Sequence, residues 1–451
     1  MITNYMRLAL EQAFYSIGVS RPNPAVGAVV VKDGIVVGRG RTQSPGNAHA
    51  EVMVLRDAGE LARGAAIFVT LEPCCHYGRT PPCTKAIIDA GIAEVYFAHA
   101  DPNPLVRGKS RKILEEAGIE VHEGVEACIA ACVEEIPEGC DDSAGSGCRV
   151  FGYGAKPAQS KAQFNEPSEM EIEGRAVFAE IEHYFEAYDY FVLNKKTFVE
   201  VKSAVSESGF IAGIDSDGSK FPLKITGQGA NCWNHELRAM SDAILVGAGT
   251  LLVDNPSLTV RLAAGNNPVK VVWAGHHVFT AEEIRNLKVF DGADGSASVR
   301  RAANNARHAA NICDAAPQNL TLVYSLVEQP VLASLAQAPA SYQQSPVSIE
   351  TLHLSGINFA ESWHEMLDDL SRRGMHRLMV EPGATLARLL FEGDNASSAC
   401  PLWNRLDLWR STDPSTDTAE GLPLPPLPCA CVARESAMIG PDVLTVYYPL
   451  A

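Results

Sequence analysis

The chain has 451 residues, 46% of them hydrophobic and 20% charged, enough for roughly two globular domains with separate cores. Fifty-four acidic against thirty-seven basic residues leave a formal net charge of −17. There is no overall basic field to neutralise long nucleic acid, so a small substrate is expected, although a local basic pocket could still hold one phosphate.

No stretch reaches the ~18 uninterrupted apolar residues of a membrane span, and the opening residues lack the basic start and long apolar run of a signal peptide. A cytoplasmic protein with no membrane partner is expected. Its twelve cysteines then read as core residues or metal ligands rather than bridges.

In chain order, "MITNYMRLALEQAFYSIG" is an amphipathic helix, with Met6, Leu8, Leu10, Ala13 and Phe14 near one face. "AVGAVVVKDGIVV" gives two strands joined at Asp33-Gly34, a hairpin signal. "HAEVMVLRDAGELA" has apolar residues at helical spacing, which puts His49 and Glu51 on a helix's opening turn. "AAIFVTLEP" is a buried strand, "TPPCTKAIIDAG" a helix stopped by Gly91, and "AEVYFAHADPNP" a strand entering a loop. A further helix and strand follow in "RGKSRKILEEAGIEVHEG". This alternation predicts a three-layer α/β domain over residues 1–145.

Residues 146–175 fall in a polar, Gly-rich stretch without periodicity, expected to be an insertion or linker. A second α/β domain is expected over 176–451. It begins with the apolar helix "AVFAEIEHYFEAYDYFVL" and has strands at "TFVEVKSAVS", "AILVGAG", "PVKVVWAG", "LTLVYSL" and "RLMVEPG". The Ser/Thr/Pro-biased tail reads as a surface loop before a last strand, "VLTVYYP".

The chemistry concentrates in "LEPCCHYGRTPPC", residues 71–83, taken together with "HAE" at residues 49–51. Zinc takes imidazole and thiolate in tetrahedral geometry, and a hydrolytic site keeps one position for water. His49, Cys74 and Cys83 supply three ligands, and Glu51 is placed to move a proton rather than to ligate. Such a set suits a zinc-dependent base deaminase, in which a metal-activated water attacks an amino-bearing ring carbon. The general deaminase signature has two residues between its cysteines, whereas Cys74 and Cys83 are separated by eight. On spacing alone, a structural zinc or no metal stays open. Cys75 is a second candidate beside Cys74, and His76 is expected to line the substrate pocket.

The stretches "RPNPAVGAVVVKDG", "HAEVMVLRDAG", "VTLEPCCHYGRTPPC" and "DPNP" followed by "AGIEV" resemble, in order and spacing, the deaminase half of the bifunctional riboflavin-biosynthesis deaminase/reductase family. That family spaces its zinc cysteines as they stand here. The resemblance implies a cytidine-deaminase-like fold, Zn2+ on His49, Cys74 and Cys83, proton transfer by Glu51, and substrate contacts from Asn23, Asp101 and Asn103. Two positions depart from the family: Thr42 replaces a histidine and Cys75 a serine.

"HELRAMSDAILVGAGTLLVDNPSLTVR" and "MVEPGATLARLL" resemble the family's reductase half. This implies a dihydrofolate-reductase-like α/β domain using NADPH. Arg238, Leu258 and Arg261 would then lie along a ribose-phosphate substrate, and Lys202, Asp254 and Glu381 around the transferred hydride. Thr226, Gly249, Thr250 and Gly383 would border the cofactor. Ser208, Pro222 and Lys224 depart from the family pattern.

The function implied is deamination of a phosphorylated diaminopyrimidine followed by NADPH-dependent reduction of its ribosyl group, in a homodimer or larger homo-oligomer. The alternative is a deaminase of a branching secondary pathway whose reductase domain is weak or inactive.

Overall fold

The computed structural model describes residues 3–78, 80–133, 167–290, 320–336, 348–392, 402–428 and 431–450. The chain divides into two compact units. The first holds Met1–Lys195 with Ala264–Asn266, the second Lys196–Ala263 with Asn267–Ala451.

The first unit contains β1 (Thr3–Asn4), α1 (Tyr5–Phe14), β2 (Gly27–Lys32), β3 (Ile35–Arg41), α2 (Ala50–Ala58), β4 (Ala66–Leu71), α3 (Cys83–Ala90), β5 (Glu94–His99), α4 (Lys109–Glu116), β6 (Glu120–Glu123), α5 (Gly124–Ala130), β7 (Cys132–Val133) and α6 (Glu169–Asn194). Its main sheet runs β3-β2-β4-β5-β6, antiparallel across the first three strands and parallel across the rest. The β2–β3 turn places Asp33 at φ 50° and Gly34 at φ 80°, the backbone of a primed hairpin turn.

Ala28 opposes Gly40 across that hairpin, so Gly27 faces the other side of the sheet. A Cβ on Gly27 would stand 1.9 Å from the Ala9 carbonyl oxygen in α1, and one on Gly40 2.4 Å from the Val54 nitrogen in α2. Bare backbone at these two positions lets helices dock tightly on opposite faces, which makes the three layers.

Helix α6 differs from expectation. It starts before residue 176 because Ser168 and Glu171 form a capping box, and it belongs to the first unit rather than the second. Val177, Ile181, Tyr184 and Phe185 are buried along it, and the Tyr184 hydroxyl donates to the Ala25 carbonyl at 2.9 Å. Of the expected insertion, residues 146–166 lie outside the described residues, while residues 169–175 are helical.

The second unit contains β8 (Phe198–Val205), β9 (Phe210–Ile214), β10 (Lys220–Pro222), α7 (Gln228–Met240), β11 (Ala243–Gly247), α8 (Ala248–Asp254), β12 (Val269–Gly275), α9 (Ala281–Asn286), β13 (Leu320–Ser325), α10 (Pro330–Ala336), β14 (Ser348–His353), α11 (Phe359–Arg372), β15 (Arg377–Val380), α12 (Ala384–Glu392), β16 (Arg405–Ser411), β17 (Gly421–Pro423), β18 (Cys431–Ile439) and β19 (Asp442–Pro449). Nine strands form one sheet in the order β14-β13-β12-β11-β15-β8-β16-β19-β18. It is parallel as far as β16 and ends in an antiparallel pair. Val199, Leu245, Val271 and Leu322 of the sheet share a buried core with Trp363, Met366 and Leu370 of α11.

Strands β14, β16 and β18 and the small β10-β9-β17 sheet were not expected. As an edge strand, β18 is largely exposed and shows no apolar alternation in sequence. Cys232 on α7 is disulfide-bonded, against the expectation of thiols and ligands alone. Among the described residues no helix is long and apolar enough to cross a membrane.

Candidate active sites

His49 is the extended N-cap residue of α2, and Glu51 lies in the first turn, buried at 4% exposure. Strand β4 ends just before Glu72-Pro73-Cys74, and Pro82 N-caps α3, whose first residue is Cys83. These element starts converge. His49 Nδ1 stands 3.6 Å from Cys74 Sγ and 3.5 Å from Cys83 Sγ. A nitrogen and a sulfur bound tetrahedrally to zinc at ~2.0 and ~2.3 Å are about 3.5 Å apart, so the trio fits that ion by distance and donor type.

The electrostatics point the same way. The Cys83 backbone N–H donates to Cys74 Sγ at 3.3 Å. Hydrogen bonding from the Cys83 thiol, aided by His49, holds Cys74 down to about 4 despite burial, so it is a thiolate. The same shared proton, reinforced by burial, pushes Cys83 well above its ordinary value. The hydrogen bond with Cys74 raises His49 to about 9 against the effect of burial. Burial, with the Cys74 charge, raises Glu51 to about 7. Cys75 turns elsewhere: its Sγ approaches the Leu105 carbonyl at 3.5 Å, and burial raises its thiol.

A cavity of about 280 Å³ opens over His49, Glu51 and Cys74, and Asn23, His76, Asp101 and Asn103 contribute to its walls. The buried Glu72 carboxylate accepts from the Asp101 N–H at 3.4 Å, the Gly108 N–H at 3.1 Å and the Ser110 hydroxyl at 2.6 Å, which fixes the "DPNP" loop. Asp101 accepts from the Asn103 N–H at 2.8 Å, and burial raises its carboxyl to about 6. His76 Nδ1 is buried without a hydrogen-bond partner among the described residues. The remaining wall comes from α6, through Tyr188, Phe191, Val192 and Lys195. Reading the sequence missed this wall because that helix was assigned to the second domain.

In the second unit, consecutive strands lead from β11 outward to β14, while β15 returns between β11 and β8. The crevice beyond the C-terminal ends of β11 and β15 is therefore a topological switch point, the usual ligand position in such sheets. Glu381 follows β15, and its carboxylate pairs with Arg238 of α7 at 2.9 Å and accepts from Asn234 at 3.1 Å. Lys202 in β8 is lowered by burial, with Glu381 pulling the other way. Asp254 closes α8 within electrostatic reach of Glu381.

Arg238 also donates to the Thr259 carbonyl at 3.2 Å, beside Leu258 at φ 56°. The Arg261 side chain bonds Ser257 and Thr259, and its backbone N–H donates to His235 Nδ1 at 3.0 Å. Thr226 Oγ1 bonds Asn231 of α7 at 3.3 Å. A Cβ on Gly249 would meet open space, and one on Gly383 would stand 2.7 Å from Thr250 Oγ1. The start of α8 at Gly249 is thus open to a cofactor's phosphates, and the absence of a side chain at Gly383 lets Thr250 approach its backbone. Asn234 and His235 were not singled out beforehand, although His235 opens the quoted stretch and Asn234 immediately precedes it.

Residues 1–99 match the family model for the cytidine and deoxycytidylate deaminase zinc-binding region, and residues 197–395 match that for the RibD C-terminal domain. The chain is 38% identical over 270 residues to riboflavin biosynthesis protein RibD of Aquifex aeolicus, covering 60% of each. It is 35% identical over 286 residues to RibD of Corynebacterium ammoniagenes, covering 62% of this chain and 68% of that protein. The chain thus spans about three fifths of the length of the Aquifex relative. A solved diaminohydroxyphosphoribosylaminopyrimidine deaminase/5-amino-6-(5-phosphoribosylamino)uracil reductase from Thermotoga maritima superposes with a TM-score of 0.59 at 26% identity, over 99% of this chain and 97% of that one. The two units have a cytidine-deaminase-like fold and a dihydrofolate-reductase-like α/β fold.

Proposed function

The chain belongs to the family of the riboflavin biosynthesis protein RibD, and on that premise we propose that it performs two consecutive reactions on a phosphorylated pyrimidine. The first unit hydrolyses the 2-amino group of 2,5-diamino-6-(5-phosphoribosylamino)pyrimidin-4(3H)-one, giving 5-amino-6-(5-phosphoribosylamino)uracil and ammonia. The second reduces the ribosyl group to ribityl. The deaminase occupies residues 1–145 with α6 as an added wall, and the reductase the chain from residue 196.

His49, Cys74 and Cys83 would hold Zn2+, which when bound would supply Lewis-acid activation of a water. Glu51 takes one proton from the attacking water as its oxygen bonds to C2 and passes it to the ring nitrogen, then takes the second from the new C2 hydroxyl and passes it to the amine, which leaves as ammonia as the C–N bond breaks. Its burial beside the trio suits a group that must alternate between carboxylate and acid. Asn23, His76, Asp101 and Asn103 orient the ring, and the unsatisfied His76 nitrogen offers a hydrogen bond.

In the second unit Thr226, Gly249, Thr250 and Gly383 would border NADPH, which when bound would supply the hydride for reduction at the sugar C1. Arg238, Leu258 and Arg261 position the ribose-phosphate, the guanidinium groups matching phosphate geometry. Lys202, whose ammonium is made more acidic by burial, works with Asp254 and Glu381 on the protons of the opening sugar ring.

We place the protein in the cytoplasm, as a homodimer or larger homo-oligomer. The observation that carries the reading is the His49–Cys74–Cys83 trio at zinc spacing beside a buried glutamate. The branching-pathway alternative is not favoured, because residues 197–395 match the reductase half of this family.

Incubating the pure chain with the diaminopyrimidine phosphate, with and without NADPH, tests both steps by product mass. The uracil alone should form without NADPH, and the ribityl product with it. No ammonia in either arm would refute the deaminase assignment.

A further inference from the structure

Four described non-glycine residues have positive φ: Asp33, Lys195, Asn255 and Leu258. Aspartate and asparagine tolerate that region through local hydrogen bonds, whereas a lysine or leucine gains nothing from it. Leu258 stands at the proposed reductase substrate wall. Lys195 is the C-cap of α6, at φ 57° and ψ 30°, where glycine is the usual residue. Backbone conformations held against preference concentrate at functional sites, which directs attention to what this lysine faces.

It faces the zinc pocket. Lys195 contributes to the same lining as Tyr188, Phe191 and Val192, and it is the one lysine or arginine among the described lining residues, which include the acidic Glu51, Glu72 and Asp101. The reacting end of a substrate must reach the buried Glu51, so the far end of the molecule extends towards the exposed rim where Lys195 sits. The C-terminal carbonyls of α6 turn a partial negative charge on that rim, which by itself would repel a phosphate, and an ammonium on the C-cap residue offsets it.

Resting on the deaminase reading above, we infer that Lys195 binds the phosphate of the deaminase substrate and discriminates the phosphorylated pyrimidine from its nucleoside. Tyr188, whose phenol hydrogen-bonds Asp101, and the apolar Phe191 and Val192 complete the wall along which the ribose lies.

The test is steady-state ammonia release by the full zinc-loaded chain, using the diaminopyrimidine ribose phosphate and the same compound dephosphorylated enzymatically. Lys195→Gly removes the charge and suits the left-handed backbone, so it should fold with an unchanged or raised melting temperature. It should raise KM for the phosphate about tenfold, the size expected for losing one charge-assisted hydrogen bond. kcat should stay as in the wild type, and KM for the nucleoside should not move. Lys195→Arg should restore the wild-type ratio of the two KM values. A ratio in Lys195→Gly equal to that of the wild type overturns the inference while leaving the deaminase reading intact. A wild type that releases ammonia from neither compound overturns both.

Discussion

Replacing His99 with glutamine tests what holds α6 over the zinc pocket. His99 ends β5 with its side chain 8% exposed. Its Nδ1 lies 2.5 Å from a Glu182 oxygen, its Nε2 3.0 Å from both Asp189 oxygens, and its ring stacks on Phe185 at 5.0 Å. Both ring nitrogens face carboxylates, so both carry protons and the ring is an imidazolium. Burial opposes that charge, but the hydrogen bonds to Asp189 and Glu182 outweigh it and raise His99 from 6.5 to about 9. At about 1.36 kcal/mol per pKa unit the shift corresponds to roughly 3 kcal/mol. Glu182 and Asp189 are 46% and 33% exposed, and solvent screening reduces the contribution to about 1–2 kcal/mol. Because the folded value lies above the unfolded one, this stabilisation is complete below pH 6.5 and is lost as pH rises through about 9.

All five tryptophans, at positions 233, 273, 363, 403 and 409, lie in the second unit. Zinc release to a chelating dye therefore reports unfolding of the first unit, and tryptophan fluorescence that of the second. At pH 6 the variant should release zinc at a urea midpoint lower by about 0.5–1 M, with the tryptophan transition unmoved. At pH 10 wild type and variant should coincide. Equal midpoints at pH 6, or a gap that persists at pH 10, would refute the clamp.

Glu51→Gln should lower ammonia release by about 100-fold or more while metal analysis still finds one zinc per chain; retained turnover would remove Glu51 from proton transfer. Cys83→Ala should lose zinc and ammonia release together, whereas Cys75→Ser should keep both, as checked by native mass spectrometry. Arg238→Met should weaken NADPH oxidation with the deaminated intermediate about 10-fold or more, by removing a charge that pairs with Glu381 and that the proposed function places along the ribose-phosphate. Ammonia release in that variant should be unaffected.

Much of the first unit was legible in the sequence because its signals are local. Asp33-Gly34 specifies a turn, Gly91 ends a helix in the left-handed region, and the candidate metal residues sit at the start of α2, just past β4 and at the start of α3, where a few residues of context fix the backbone. Strands β8, β11, β12, β13 and β15 of the second unit were equally readable as apolar runs, since both faces of such a sheet are covered, whereas the more polar β14 and β16 were not. The edge strand β18 was not, because an exposed strand needs no apolar pattern.

The sequence by itself determined which residue types could hold a metal and move a proton, since donor chemistry and helix starts are written within a few residues. Only the tertiary structure decided that α6 packs on the first unit, bringing Tyr188 and Lys195 to a pocket more than a hundred residues upstream, and that Glu381 meets Arg238. An amphipathic helix declares that one face will be buried but not against which partner, because that choice depends on which apolar surface and which charges, here His99 between Glu182 and Asp189, the rest of the fold presents.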